Sequence, residues 1–182
     1  MTPKTIERSP RSRPVGLSFL LVVVVLLAAC DVGSDPLASP LEDLQLVGVD
    51  FELNSMIITN NGEDEVRTQG LWAYRDGEAF EFDIFIIEPR STILFSMRDL
   101  GEVSTTAGEL ALFDSDSFDN PQSMLQYVVW GQGVSSLSEI ATEADLWPSQ
   151  GTVDVPTNTV TLLRIDPAVN DPAAWEPAGD EG

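Results

Sequence analysis

The chain has 182 residues, 30 acidic against 9 basic for a formal charge of −21, no histidine and a single cysteine, Cys30. Cys/His zinc sites, Ser-His-Asp and Cys-His catalysis cannot be assembled from that composition, and no disulfide can close within the chain. The charge excludes nucleic acid as a partner, because phosphate binding draws its affinity from Lys and Arg. Carboxylate chemistry stays open: glycoside hydrolysis by an acid pair, or calcium binding.

In chain order, the first element is an uncharged run from Val15 to Ala29 that follows Lys4, Arg8, Arg11 and Arg13. A bilayer span needs roughly 20 apolar residues, so this shorter run after a basic stretch predicts a signal peptide over 1–29. Leu27-Ala28-Ala29-Cys30 resembles the lipobox of bacterial lipoproteins. That resemblance implies cleavage before Cys30, lipidation of its thiol, and an extracytoplasmic chain, periplasmic or at the cell surface, held to the membrane by an N-terminal lipid. An uncleaved signal anchor is the alternative. Removing 1–29 takes four of the nine basic residues and one of the 30 acidic ones, leaving five arginines, no lysine and 29 carboxylates, a formal charge of −24. Lysine-dependent nucleophiles and Schiff bases then disappear as well. Residues 30–40, rich in Pro, Ser and Asp, read as a flexible tether.

The folded unit is expected over 41–165, and it reads as strands. In "AFEFDIFI", Phe80, Phe82, Ile84 and Ile86 alternate with the residues between them, which predicts one strand with those four facing inward. Shorter strands are expected in "LQLVGVDF", "SMIITN", "GLWAY", "STILFSM", "ELALFD", "MLQYVVW" and "TVTLLRI", rich in β-branched and aromatic residues. Asn60-Asn61-Gly62 and Asp76-Gly77 offer residues that accept positive φ, the second as a tight hairpin. Eight or so short strands suggest an all-β sandwich or barrel. One helix is expected from Leu137 to Leu146, with Ser136 and Glu139 as a capping box and Pro148 beyond its end. The tail, 166–182, is acidic and Pro/Ala-rich and is expected to be loosely ordered.

The order of these segments resembles a lamin-tail-type domain. The resemblance is carried by "IITNNGEDEVRTQGLWAYRDGEAFEF", by "IIEPRSTILF" where the family shows a Pro-Gly turn, and by "GELALFDSD" and "MLQYVVWG". It covers about Val47 to Gly131, and departs from the family at Arg90, which stands in place of Gly, and at Trp72, slightly displaced. It implies an immunoglobulin-like antiparallel β-sandwich with one short helix, acting as a binding or tethering module without catalytic residues of its own.

Three local features are candidate sites. Asp114, Asp116, Asp119 and Asn120 in "FDSDSFDN" can offer several oxygens to one calcium ion, although the EF-hand glycine and closing glutamate are missing and an acidic turn explains the same residues. Trp72, Tyr74, Tyr127, Trp130 and Trp147 can form a platform for a glycan or protein partner, or belong to the core. Glu63, Asp64 and Glu65 read as a solvated turn and a poor acid pair. The sequence thus points to a lipid-anchored, non-catalytic binding or structural module for an unknown protein or glycan at the cell surface. The alternative is a carboxylate-dependent hydrolase of cell-surface polysaccharide, which would need two carboxylates facing each other across a cleft.

Overall fold

A computed structural model describes residues 41–132, 135–148 and 151–179. The signal peptide, Cys30 and the tether lie outside the described residues. In chain order the strands are β1 (Leu44–Asp50), β2 (Ser55–Asn60), β3 (Val66–Arg67), β4 (Trp72–Arg75), β5 (Glu78–Glu81), β6 (Ile86–Ile87), β7 (Thr92–Ser96), β8 (Ala107–Phe113) and β9 (Met124–Gly131). They are followed by the helix α1 (Ser138–Glu143), then β10 (Thr159–Arg164) and β11 (Trp175–Gly179). The fold is all-β. One sheet runs β11-β10-β1-β2-β7, a second runs β5-β4-β8-β9, and β3 with β6 forms a two-stranded ladder. Every pairing between named strands is antiparallel.

Alternation explains the five-stranded sheet. Leu44, Leu46, Val49, Met56 and Ile58 are buried, while Gln45, Ile57 and Thr59 between them are only half-buried. At Gly48 the strands approach closely: a Cβ there would lie 2.8 Å from Ile57 Cδ1 and 3.0 Å from Leu162 O, so a side chain would force β1 off its neighbours. The second sheet is different. Leu110 through Phe113 and Tyr127 through Trp130 are buried without alternation, because this sheet is covered on both faces. α1 and the residues after it supply part of that cover, with Trp147 edge-on to Tyr127 at 5.6 Å and Trp147 Nε1 donating to Gly151 O at 2.6 Å.

The Asp76-Gly77 turn is the expected hairpin. It joins β4 to β5 with two residues at φ 49° and 98°, the pattern of a type I′ turn. At Pro89-Arg90, Arg90 adopts φ 56°, the conformation that favours glycine, and Ser91 N donates to Glu88 O.

Four expectations are corrected. "AFEFDIFI" is not one strand: Phe82 is 3% exposed but Ile84 is 69% and Ile86 47% exposed, and Ile87 takes the inward position. The cause is Thr68, whose hydroxyl donates to Asp83 O and accepts from Phe85 N, bending the chain out of β5 and re-pairing it with β3. Asn60-Asn61-Gly62 turns without positive φ, since buried Asn60 holds the bend through its amide: its Oδ1 accepts from Gly62 N, and its Nδ2 donates to Asp64 O and Ile87 O. The helix is shorter than expected, Ser138–Glu143, with Leu137 at its N-cap and no capping side chain. The tail is not loose as far as Gly179, because β11 pairs with β10 and Trp175 is 5% exposed, with the Arg164 guanidinium 6.0 Å from its ring.

Candidate functional site

A recess of about 100 Å3 opens where β4, β8 and β9 meet the segment before α1, lined by Asp76, Gly108, Glu109, Trp130 and Ser135 among others. The hairpin places Asp76 there, and its Oδ1 accepts from Glu109 N at 2.9 Å. Glu109 begins the buried run of β8 and is itself 3% exposed. A buried carboxylate must be matched by donors. Glu109 Oε2 accepts from Tyr127 OH (3.1 Å), Ser135 Oγ (2.6 Å) and Leu137 N (3.1 Å). Its Oε1 accepts from Ser136 N (3.0 Å) and Ser136 Oγ. Five donor groups therefore face one carboxylate, four of them from residues 135–137, and Tyr127 OH and Ser135 Oγ also hydrogen-bond each other, so these two hydroxyls spread two protons over three contacts. The serine expected to cap the helix is drawn to Glu109 instead, 27 residues earlier in sequence.

The charges around this carboxylate are perturbed by burial. Asp76 is raised above the ordinary aspartate range, chiefly by desolvation, and the Glu109 N–H and Arg75 oppose that shift while the Glu109 charge adds to it. Tyr127 is pushed up for the same first reason, desolvation, with the nearby Glu109 charge contributing. Arg75 is lowered by desolvation against the attraction of Asp76 and Glu78. Its Nη1 donates to Gly101 O at 3.1 Å, while its buried Nε lies 3.7 Å from Asp76 Oδ2 without a hydrogen bond.

This recess brings together two carboxylates that the sequence did not single out. An inward-pointing glutamate at the head of "ELALF" is the one signal that marked Glu109, since an unpaired charge in such a run is costly. As chemistry the arrangement is limited. Glu109 is fully engaged by protein donors, and the recess is below the roughly 300 Å3 at which ligand pockets begin.

The other candidates are dispersed. Asp114, Asp116, Asp119 and Asn120 are all exposed. Asn120 Oδ1 accepts from Gln122 N and its Nδ2 donates to Ser123 Oγ, so this side chain shapes the turn. Among the described residues no group of three or more acidic, His or Cys side chains is placed to hold a metal ion. Of the aromatic set, Trp130, Tyr127 and Trp147 are buried, and Trp130 Nε1 donates to Ser104 O at 2.8 Å. Trp72 and Tyr74 are half-buried against Phe118, at 5.8 and 5.6 Å between rings. Glu63 pairs with Arg90 at 2.7 Å on the open surface.

A larger opening, about 520 Å3, lies between the edges of the two sheets, with Phe80 from β5 and Phe95 from β7 on its walls and Glu81, Asp83, Leu94 and Asp99 around it. Phe95 stacks near-parallel with both Phe80 and Phe85, at 5.6 and 5.8 Å with interplanar angles of 12°. Compared with family models, with curated proteins and with solved structures, the chain matches none.

Proposed function

We propose that the protein is a lipid-anchored, extracytoplasmic β-sandwich that serves as a non-catalytic binding or structural module, as the lamin-tail-type resemblance also implies. The observation that carries the non-catalytic part is the saturation of Glu109. A general acid or base must exchange its proton with substrate, and this carboxylate is already surrounded by five donor groups of its own chain. Its partner across the recess, Asp76, is engaged by the Glu109 N–H. The anchor rests on the lipobox-like residues ending at Cys30.

Both halves are testable on the full chain. Cys30→Ser should shift the protein from the membrane to the soluble fraction, and retention of that variant in the membrane would overturn the lipid anchor. Incubation with purified cell-surface polysaccharide should release no new reducing ends, and release abolished by Asp76→Asn would establish the hydrolase reading instead.

A further inference from the structure

Open sheet edges offer unpaired N–H and C=O groups to any passing strand, and proteins ordinarily shield them. Three of the four edges of the two large sheets are shielded here. β11 carries Pro177 and a register shift against β10. β5 is four residues long and bounded by the exposed Glu78 and Glu81. β9 is capped at its C-terminal end by a bridge to Val153, whose N–H donates to Val129 O and whose carbonyl accepts from Gly131 N.

β7 has none of these devices. "TILFS" contains no charge and no proline, and it pairs with β2 over five residues without a register shift. Asn60 N donates to Ser91 O and Met97 N donates to Asn54 O. With the strand period of two, residues 91, 93, 95 and 97 therefore bond toward β2, and the N–H and C=O of Thr92, Leu94 and Ser96 point away from the sheet. Among the described residues none pairs with them. Leu94 is 55% exposed beside this edge.

We propose that β7 is a docking edge for an extended, basic segment of a partner protein, which adds as a further strand and lays side chains into the opening beside Phe80 and Phe95. The proposal rests on the binding-module reading and names the class of partner. Charge selects that partner: the opening is bordered by Glu81, Asp83 and Asp99, and among the described residues no basic one lines it. A second copy of this chain would bring the same acidic border and the same large negative charge to the edge, so self-pairing is opposed.

The test uses the full chain in mild detergent and a labelled synthetic octapeptide of alternating Lys and Val, read by fluorescence anisotropy. Its controls are the same peptide N-methylated at alternate amides, in two versions that block one or the other edge of the strand. One N-methylated version should bind at least tenfold more weakly than the parent while the other is unaffected, since charge is identical in all three. Leu94→Pro removes an outward N–H together with the exposed Leu94 side chain, at a position where an edge strand tolerates proline, and should likewise cost at least tenfold, while Leu94→Ala, which keeps the N–H, should cost less. Equal affinity for all three peptides would mean attraction by charge alone and would overturn the proposal, as would absence of binding by the parent peptide or dimerisation of the chain that Leu94→Pro abolishes. Because the readout is independent of Cys30, a failed edge with an intact lipid anchor removes the docking strand and leaves the anchored module standing.

Discussion

Replacing Glu109 with Ala should unfold the junction between β8 and α1 and weaken the whole domain. The substitution removes the shared acceptor of five donor groups, of which Tyr127 OH and Ser135 Oγ still face each other. Two of their bonds, from Tyr127 OH and Leu137 N, lie in buried surroundings, whereas those from Ser135 and Ser136 are part-buried and can regain water. Because Tyr127 OH can turn to Ser135 Oγ, Leu137 N is the one left without a partner, and a buried donor so left costs about 1–3 kcal/mol. That is a large share of the ~5–15 kcal/mol that typically separates native from unfolded chains. Glu109→Gln keeps one acceptor oxygen but turns an NH2 toward donors, and should cost less than Ala. Urea denaturation followed by far-UV circular dichroism gives both values, and hydrogen exchange at the Ser136 and Leu137 amides locates the effect. A loss below about 0.5 kcal/mol for Glu109→Ala, the size of an ordinary surface change, would refute the view that this carboxylate holds the α1 segment.

Asp76 carries a folded-state pKa above its unfolded value, so the native state holds that proton more tightly; its contribution to stability is favourable at acid pH and is lost as pH rises from about 4 through the raised pKa. Asp76→Asn keeps the acceptor for Glu109 N and tolerates positive φ, and the difference between its pH–stability curve and that of the wild type should show this loss. A difference that runs the other way, with wild type gaining over the variant as pH rises, would contradict the burial argument. Phe82→Ala should cost about 3–5 kcal/mol and Ile84→Ala under about 0.5, because only the first is buried; equal costs by denaturant titration would restore a continuous strand. For the acidic turn, calcium and magnesium at equal ionic strength should raise the melting temperature equally through screening of the negative surface. A calcium-specific rise lost in the Asp116→Asn/Asp119→Asn double variant would establish a calcium site.

The strands were legible where local pattern and burial agree. Leu44–Asp50 and Ser55–Asn60 alternate because one face meets the core, and Asp76-Gly77 declares its turn by the φ values that only such residues accept readily. What sequence missed was set by groups distant along the chain. Ile84 and Ile86 continue the alternation begun at Phe80, yet Thr68 captures Asp83 O and Phe85 N and turns them outward. Ser136 has the spacing of a cap, yet Glu109 offers its hydroxyl a charged acceptor. Trp175 sits in a stretch whose composition reads as disordered, and its order comes from pairing with β10 and from Arg164, which also reaches Gln126 and Val169 O. The candidate sites fared by the same rule: the aromatic residues were visible but their burial was not, and the Asp76–Glu109 recess joins positions 33 residues apart.

The most direct test of the account is the intact mass of the chain recovered from membranes of cells expressing it. A lipid-anchored module should show an N-terminus at Cys30 with added acyl mass on that residue. A membrane-bound chain that retains residues 1–29 and carries no acyl group would contradict it.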